Sequence, residues 1–391
     1  MRKWIVAAVV LLAVALAAFF ALAPGIVERS MNKVVPVALR ITPEARALHG
    51  TLAVADMHAD TLLWKRDPLD RATQGQVDLP RLQAGNVALQ VFSSVTKTPK
   101  HQNYDANPAN TDNITLLTIA QLQPPRTCFS LLQRSLWHAE KLRDAAARSN
   151  GALVVIRTAG DLDRLLGDRA RGARRTGAML SIEGLQDLEG NLANLDRLYD
   201  AGFRMAGFAH FFDNDVAGSM HGERKGGLTP LGFRVLRRME AKGMIVDVAH
   251  SSHAAVADIL RAAKRPVVSS HGGVQATCKV NRNLTDDEIR GIARTGGVIG
   301  IGYWDAAICG TEPARVAAAI AHVRDLVGID HVGLGSDFDG AVTTGFDASQ
   351  LAAVTQALLD RGFTPAEIAK VMGGNVLRLI RAGIVPARPA T

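Results

Sequence analysis

Short apolar runs alternate along the chain with longer segments that carry helix start and stop signals. Three of these segments begin with a capping threonine, at Thr229, Thr285 and Thr364, and the first ends before Gly243. The apolar runs predict eight strands, at residues 52–58, 86–93, 178–183, 203–209, 244–249, 266–271, 297–302 and 331–336. Eight strands separated by helices are typical of an α/β fold, and we expect a TIM-like (β/α)8 barrel.

One stretch of the chain does not fit a simple barrel. The run at residues 152–157 resembles a ninth strand, and residues 95–150 are too many for one crossover. We therefore predict an insertion at about residues 95–177, between the second and third barrel strands. A doubly wound open sheet is the alternative fold, although no glycine-rich phosphate-binding motif follows the first strand.

The N-terminus carries a hydrophobic segment. Residues 4–23 are uncharged and follow Arg2 and Lys3. At about 1.5 Å per residue they are just long enough to cross a bilayer core of roughly 30 Å as a helix. We predict a signal anchor or a signal peptide at residues 1–33, followed by a single barrel domain at residues 34–391.

The fate of this segment decides where the protein resides. Ala21 and Ala23 have the spacing of a signal-peptide cleavage site, but Pro24 would follow the cut, which favours an uncleaved anchor. The positive charges before the apolar run favour a cytoplasmic N-terminus. We therefore expect a single-pass protein of the cell membrane whose barrel is periplasmic or extracellular. Cleavage would instead make it a secreted protein.

Composition and charge narrow the possible functions. Of 391 residues, 48% are hydrophobic and 21% are charged, so the chain can bury a large core, and low-complexity disorder is excluded. The net charge is +8, but residues 1–33 and 157–175 contribute +3 each, and aromatic residues are only 5%. We therefore expect no nucleic-acid binding. Three cysteines are too few for a cysteine-built zinc site, so histidines and carboxylates would have to bind any metal ion.

Histidines and acids follow the predicted strands in a regular way. Seven of them lie at strand ends: His58, Asp60, Glu183, His210, His250, His271 and Asp337. The carboxyl ends of barrel strands meet at one rim, where catalytic residues gather. Each residue alone is better explained as a structural side chain or a turn former, but seven at similar positions predict a metal site.

Other histidines have a different context. We interpret His221 and His253 as solvent-facing, because they lie in loop or helix sequence near the strand ends. Four histidines do not lie near a strand end, and for these we expect structural roles: His101, His138, His322 and His331.

The strand-end side chains suit a pair of metal ions. Imidazole and carboxylate ligands fit zinc or a similar divalent ion. Two ions are needed to use all of these ligands, and Glu183 is the candidate bridge between them. Such a pair would hold a hydroxide at neutral pH and polarise a substrate carbonyl. The strand ends therefore predict a hydrolytic reaction.

Several motifs, in the same order, carry a resemblance to a known family. They are Asp56–Asp60, Asp78–Leu82, Ile182–Gly184, His250–Ser252, Ser270–His271, Arg282–Leu284, Gly335–Gly340 and Gly373–Arg378. From about residue 45 onward the sequence resembles the membrane (renal-type) dipeptidases, metallopeptidase family M19. The resemblance implies a TIM-like barrel with two Zn²⁺ ions per chain and dipeptide substrates.

The resemblance also implies roles for individual residues. One zinc ion would be bound by His58 and Asp60. The second would be bound by His250 and His271, and Glu183 would bridge the two ions. The positions that match substrate contacts are His210, Arg282 and Asp337.

Catalysis is expected to involve three residues, Asp337, His210 and Glu183. Asp337 would accept a proton from the bridging hydroxide and return it to the leaving amine, or it would instead bind the amino group of the substrate. His210 would stabilise the oxyanion as a hydrogen-bond donor.

Arg282 is expected to limit the substrate to dipeptides. Its guanidinium group would hold a free C-terminal carboxylate through two parallel hydrogen bonds. The alternative is that Arg282 only pairs with Asp286 or Asp287.

The resemblance further implies a disulfide bond between Cys278 and Cys309, which would leave Cys128 free. Members of the family are often homodimers, so we consider a homodimer possible.

Two alternative functions remain at this point. Another binuclear amidohydrolase, such as a lactonase, a deaminase or a phosphotriesterase-like enzyme, would share the barrel and the metal ions. Those enzymes usually begin with His-x-His and use a carboxylated lysine, whereas here His58 is followed by Asp60 and Glu183 supplies the bridge. The second alternative is a non-catalytic binding protein anchored in the membrane.

Overall fold

The computed structural model describes residues 1–385, and the predicted domain end at residue 391 lies outside this range. Eleven strands lie at Lys33–Val34 (β1), Val54–Ala59 (β2), Val87–Val95 (β3), Leu153–Val155 (β4), Thr176–Glu183 (β5), Phe203–Gly207 (β6), Ile245–Asp247 (β7), Val267–Val268 (β8), Ile299–Ile301 (β9), Val332–Leu334 (β10) and Thr343–Thr344 (β11). The α-helices lie at Arg2–Met31 (α1), Pro43–Gly50 (α2), Leu79–Ala84 (α3), Ile114–Ala120 (α4), Arg126–Phe129 (α5), Leu131–Arg148 (α6), Ala159–Ala170 (α7), Ala193–Ala201 (α8), Pro230–Lys242 (α9), His253–Ala262 (α10), Asp286–Arg294 (α11), Asp305–Ile308 (α12), Pro313–Val327 (α13), Ala352–Asp360 (α14), Pro365–Ala369 (α15) and Asn375–Gly383 (α16). Short 3₁₀-helices lie at Thr61–Leu63, Leu185–Leu188, Ile329–His331 and Ala348–Gln350, and a π-helix at Lys370–Gly374.

Eight of the strands form a nearly closed parallel barrel. Their order is β8, β7, β6, β5, β3, β2, β10 and β9. The two outermost strands meet where Ser269 forms a parallel bridge with Ile299, and the backbone N–H of Gly300 donates a 2.8 Å hydrogen bond to the carbonyl of Ser269. The predicted TIM-like (β/α)8 barrel is confirmed, and the doubly wound open sheet is wrong. Each predicted strand overlaps one barrel strand, with ends that differ by no more than three residues.

The longer barrel strands are mostly apolar and are buried on both faces. All nine residues of β3 and all eight residues of β5 are buried. A strand that is buried on both faces needs a hydrophobic run rather than an alternation of apolar and polar residues. This burial leaves the strand ends as the places where polar side chains collect.

The chain leaves the barrel between β3 and β5 and forms α4, α5, α6, β4 and α7. Strand β4 pairs in parallel with β5, with Leu153 opposite Thr176, but it lies off the barrel path. The predicted ninth strand is therefore confirmed as an addition outside the barrel. The arginine-rich segment around α7 is a solvated face, where exposed Arg171 pairs with Asp168 at 2.6 Å.

Helix α1 has two parts with different surroundings. Its apolar window has a mean hydropathy of 3.0 and is not buried, and α1 is the one described helix that is long and apolar enough to cross a membrane. In its last two turns, Pro24 and Glu28 are buried against the barrel. Beyond the helix, β1 pairs in parallel with β11, with Lys33 opposite Thr343. The N-terminal segment therefore extends away from the barrel at one end and is joined to it at the other.

A disulfide bond joins Cys278 and Cys309, whose Cα atoms are 5.3 Å apart, and Cys128 is free. The bridged loop contains Arg282. It is also held by Asn283, whose side-chain amide donates a 2.8 Å hydrogen bond to the carbonyl of Cys278.

Candidate metal centre

Side chains from six barrel strands converge at one rim of the barrel. His58 lies within β2, and Glu183 is the last residue of β5. Four others each lie three residues beyond a strand end: His210, His250, His271 and Asp337. Together with Asp60, which follows β2, all are at most 8% exposed. The structure thus brings together all seven strand-end residues.

Glu183 lies in the middle of this group. Its Oε1 atom is 3.0 Å from His250 Nε2 and 3.3 Å from His271 Nε2. The same oxygen is 3.5 Å from His210 Nε2 and 3.7 Å from His58 Nε2. Four imidazole nitrogens therefore face one carboxylate oxygen.

A second concentration of ligand atoms lies around His58. Its Nε2 atom is 3.4 Å from Asp60 Oδ1 and 3.9 Å from Asp337 Oδ1. These three residues offer ligand atoms that all lie within 4.8 Å of one another. Two further groups meet the same condition: His58, Glu183 and His271, and Glu183, His210 and His250. Asp337 and His210, for which the sequence predicted catalytic and substrate-binding roles, thus lie close enough to be ligands as well.

Burial and neighbouring charges set the protonation of the acids. Burial, reinforced by the charge of Glu183, raises the pKa of Asp60 to about 6. Burial also raises the pKa of Asp337 well above its usual range. For Glu183 burial acts in the same direction, but His210 and His58 outweigh it and hold its pKa well below its usual range. Of the three carboxyl groups, Glu183 is therefore the one that its neighbours hold most strongly in the ionised form.

The pKa values of the histidines are also shifted in opposite directions. Burial, together with the nearby charge of Arg282, lowers the pKa values of His250 and His271 well below the usual range. Burial opposes protonation of His58 too, but Glu183 and Asp60 raise its pKa well above the usual range. Neutral imidazole is the form that binds metal ions, so His250 and His271 are ready to act as ligands.

Several buried polar atoms of this centre have no hydrogen-bond partner among residues 1–385. They are His58 Nε2, Asp60 Oδ1, Glu183 Oε2, His210 Nδ1 and His250 Nδ1. An unsatisfied buried polar group costs about 1–3 kcal/mol, and buried carboxylates that face one another need a cation. Imidazole nitrogens and carboxylate oxygens are the donors that zinc and similar ions prefer. The donor set therefore fits divalent metal ions.

Two further acids position the ligands without facing the metal site. The side chain of Asp56 accepts hydrogen bonds from the backbone N–H groups of His58 at 2.9 Å and Ser336 at 3.0 Å. Asp247 Oδ1 accepts a 2.8 Å hydrogen bond from the backbone N–H of Ser270. No role was predicted for Asp247 from the sequence, although an acid within an apolar strand indicates a buried hydrogen-bond acceptor.

Arg282 is buried at the edge of the centre, with 2% of its surface exposed. Its Nη2 atom donates a 3.0 Å hydrogen bond to the carbonyl of His271. Its Nε atom is buried and has no partner in the described part of the chain. A guanidinium group with free donors beside a metal site is suited to bind an anionic group.

The alternative partners proposed for Arg282 are engaged elsewhere. Asp286 lies 2.7 Å from His322, and Asp287 pairs with Arg290 at 3.1 Å. The hypothesis that Arg282 only pairs with Asp286 or Asp287 is therefore wrong.

His221 is not solvent-facing, and that prediction is wrong. Its side chain is fully buried, stacks on Phe211 with ring centroids 4.6 Å apart, and lies 3.0 Å from the carbonyl of Tyr104 through Nδ1. Burial lowers its pKa to about 3. His221 is buried because the loop after β6 folds back over the rim of the barrel. In this loop the N–H of Met220 donates a 2.9 Å hydrogen bond to the carbonyl of His250.

Four of the remaining histidines, His138, His253, His322 and His331, lie as predicted. His253 is exposed and lies 2.6 Å from Glu288. His138 is buried and bonded to Ser94 Oγ at 2.7 Å, and His331 lies 2.9 Å from a backbone carbonyl. Outside the rim, these side chains therefore have structural partners.

The centre opens into a cavity of about 510 Å³. Its polar lining includes Asp60, Glu183, His210, His250, Arg282 and Asp337. Cavities of this size bind small molecules rather than folded proteins. Asp60, Glu183, His250 and Arg282 thus face the same small space.

Residues 42–385 match the sequence model of the membrane dipeptidases, peptidase family M19. The chain belongs to this family. It is a metallopeptidase that acts as a dipeptidase, so the lactonase, deaminase and phosphotriesterase-like alternatives and the non-catalytic binding protein are excluded.

Known members of the family resemble this dipeptidase along most of its length. It is 30% identical over 348 residues to the dipeptidase aclJ of Aspergillus oryzae, a match that covers 84% of the chain and 77% of the relative. It is 28% identical over 320 residues to the dipeptidase tcpJ of Claviceps purpurea, covering 78% of the chain and 69% of the relative.

Solved structures share its fold. The probable dipeptidase PvdM of Pseudomonas aeruginosa superposes with a TM-score of 0.74 at 22% identity, covering 88% of the dipeptidase and 98% of PvdM. A metallopeptidase of Rhodobacter sphaeroides, which holds a phosphinate mimic of the dipeptide L-Ala-D-Ala, superposes with a TM-score of 0.69 at 22% identity. The match covers 85% of the dipeptidase and 99% of the Rhodobacter sphaeroides protein. At this identity the likeness concerns the fold.

Proposed function

We propose that the protein is a zinc-dependent dipeptidase that binds two Zn²⁺ ions per chain and hydrolyses dipeptides with a free C-terminal carboxylate. The observation that carries the proposal is the position of Glu183, whose Oε1 atom lies within 3.7 Å of imidazole nitrogens from four strands. The buried ligands are too many for one tetrahedral ion. A carboxylate between two groups of ligands suits two ions that share it.

The ligands divide into two sets. We assign His58 and Asp60 to one ion, His250 and His271 to the other, and Glu183 to both. When bound, the two ions would hold a hydroxide at neutral pH and polarise the substrate carbonyl. Ser270 Oγ lies 2.9 Å from Nδ1 of His271 and 3.4 Å from Nδ1 of His58. A partner on the second ring nitrogen fixes the orientation of a ligand histidine.

Arg282 holds one end of the substrate in this proposal. Its guanidinium group donates two parallel hydrogen bonds to the C-terminal carboxylate, which fix both its distance and its orientation. A longer peptide would place a neutral amide at the same position. The buried arginine therefore restricts the reaction to dipeptides.

Two side chains serve the chemical step. Asp337 accepts a proton from the attacking oxygen and passes it to the nitrogen of the leaving amine. His210 donates a hydrogen bond to the carbonyl oxygen as negative charge develops there. Both residues line the same cavity as Arg282, which supports a common substrate.

A dipeptide is supported as the ligand by the family and by one neighbour in particular. The fold of the Rhodobacter sphaeroides metallopeptidase, which carries a phosphinate mimic of L-Ala-D-Ala, matches 85% of this chain. The dipeptide mimic makes the stereochemistry of the second residue the first variable to test.

The N-terminal segment is proposed to anchor the enzyme. Helix α1 would cross the membrane once and leave one catalytic domain, residues 34–391, on the periplasmic or extracellular side. The disulfide between Cys278 and Cys309 supports an oxidising compartment. A homodimer stays a prediction.

The test is a panel of L,L and L,D dipeptides, offered to the zinc-loaded full-length protein in lipid nanodiscs. We expect turnover of free dipeptides and poor turnover of their C-terminal amides and of tripeptides. Equal turnover of tripeptides and dipeptides would contradict the proposal.

A further inference from the structure

The cavity at the metal centre has a wall that originates outside the barrel. Val27 and Met31, in the last two turns of α1, line the cavity together with the proposed metal ligands Asp60, Glu183 and His250. Helix α1 contacts α4 here. Next to them lies an apolar cluster that also lines the cavity, formed by Leu63, Trp64, Val95, Ile114 and Leu117. We call these seven side chains the apolar wall.

The end of α1 is fixed to the barrel by buried charges. Glu28 is 1% exposed, and its Oε1 atom accepts a 2.5 Å hydrogen bond from Arg66 Nε. Arg66 also forms an ion pair with Asp339, which is fully buried and lies two residues after Asp337. Removing one partner from a buried charge network is strongly destabilising. The end of the helix is therefore a fixed part of the catalytic domain.

Two hydrogen bonds hold the residues that follow α1. The side-chain oxygen of Asn32 accepts a 2.8 Å hydrogen bond from the N–H of Ala341, and the N–H of Lys33 donates a 3.2 Å hydrogen bond to the carbonyl of Val342. Ala341 and Val342 themselves line the cavity. The end of α1 and the loop that carries Asp337 thus form one continuous border of the cavity.

The α1 part of this border lies outside the part of the chain that matches the family. The family match begins at residue 42, whereas Val27 and Met31 precede it. Both side chains are apolar and still 39% and 43% exposed. Apolar surface at a binding cavity is well suited to be covered by an apolar ligand group.

We infer that the apolar wall binds a large apolar side chain of the dipeptide, and that the N-terminal segment thereby sets the substrate preference of the enzyme. This inference rests on the proposed dipeptidase function. The metal centre and Arg282 act on the peptide bond and on the C-terminal carboxylate, which are common to all dipeptides. The apolar wall is the part of the cavity that distinguishes one side chain from another.

The test compares kcat/KM for Gly-Gly, Gly-Leu, Leu-Gly, Gly-Phe and Phe-Gly, with the zinc-loaded full-length protein in nanodiscs. The wild type should prefer Leu and Phe over Gly at one of the two positions by about tenfold or more, since a single methylene group in a pocket changes kcat/KM by about 10- to 200-fold. Val27→Ala and Met31→Ala should each reduce this preference about tenfold. Ile26→Ala is the matched control, because Ile26 is on the same helix, is 65% exposed and does not line the cavity, and it should leave the preference unchanged.

A pair of charged variants tests the contact directly. Met31→Lys should shift the preference towards dipeptides with a glutamate side chain, and Met31→Glu towards dipeptides with a lysine side chain. Opposite shifts require that position 31 lies next to the substrate side chain.

Three outcomes would overturn the inference. They are a wild type without preference for Leu or Phe, alanine variants that keep the wild-type preference, and charged variants that shift in the same direction. If dipeptides are still hydrolysed in these cases, the proposed function stands. A zinc-loaded wild type that hydrolyses no dipeptide would overturn the proposed function and the inference with it.

Discussion

The Nε2 atoms of His250 and His271 lie 3.0 Å apart, and both face Oε1 of Glu183. At most one proton can lie between two imidazole nitrogens at this distance, so the pair cannot be doubly protonated there. Burial lowers the pKa values of both histidines and favours their neutral forms. Two neutral imidazoles and one ionised carboxylate form a ligand set for a divalent cation.

Asp337→Asn should lower kcat by about 10²- to 10⁴-fold while the bound metal is retained, because the amide cannot accept a proton. The backbone should tolerate the change. Asp337 has a left-handed conformation with φ of 59°, which asparagine adopts readily. Kinetics and metal analysis on the same preparation check this prediction. An unchanged kcat would remove Asp337 from the chemistry, and loss of metal would make it a ligand.

Arg282→Lys should lower kcat/KM for free dipeptides by an order of magnitude or more, because an ammonium group cannot form two parallel hydrogen bonds to a carboxylate. For the wild type, C-terminally amidated dipeptides should be poor substrates. Arg290→Lys is the control, since Arg290 is about half exposed and pairs with Asp287 on the surface. Equal turnover of amidated and free dipeptides would rule out the carboxylate-binding role.

The barrel and its rim could be predicted from the sequence because both depend on local patterns. Strands such as β3 and β5 are buried on both faces and appear as mostly apolar runs, and the charged or imidazole side chains at the strand ends stand out against that background. The prediction for His221 failed because its burial depends on the fold of the loop after β6. The sequence of this loop has no hydrophobic periodicity from which burial could be predicted. The docking of Glu28 was also missed, since its partner Arg66 is 38 residues away.

Asp187 should make the stability of the protein depend on pH. It is fully buried, and its Oδ2 accepts a 2.6 Å hydrogen bond from Ser135 Oγ on α6. Burial raises its pKa to about 7, while the nearby His138, with a pKa of about 3, stays neutral. Because the pKa of the unfolded chain is lower, about 4, the folded state binds more protons between about pH 4 and 7. The free energy of unfolding contributed by Asp187 therefore falls as the pH rises through this window.

Asp187→Asn should remove this fall, since the amide stays neutral at every pH. Between pH 4 and pH 8, the free energy of unfolding of the variant should rise by up to about 4 kcal/mol relative to that of the wild type. This upper bound corresponds to a difference of about three between the pKa of Asp187 in the folded and in the unfolded chain. Urea unfolding at a series of pH values measures it, with exposed Asp70→Asn as the control. If the free energies of unfolding of the wild type and Asp187→Asn change in parallel with pH, Asp187 does not titrate between pH 4 and pH 8.

Cys278→Ala should lower the free energy of unfolding by about 3–4 kcal/mol, from the loop entropy of a bridge that spans 31 residues. Cys128→Ala, which removes the free thiol, should have a much smaller effect. Urea unfolding measures both variants, and mass mapping identifies the bridge. Three reduced thiols in protein purified from the periplasm would show that the bridge or the location is wrong.

The most direct test of the binuclear site is the metal content of the full-length protein, measured by mass spectrometry after loading with zinc and removal of excess ions. We expect two zinc equivalents per chain in the wild type and in the control Glu223→Gln, whose side chain is exposed. Glu183→Gln should lose both ions or nearly all activity, because a neutral amide is a poor bridge between cations. A fully active wild type with one zinc ion per chain would contradict the account.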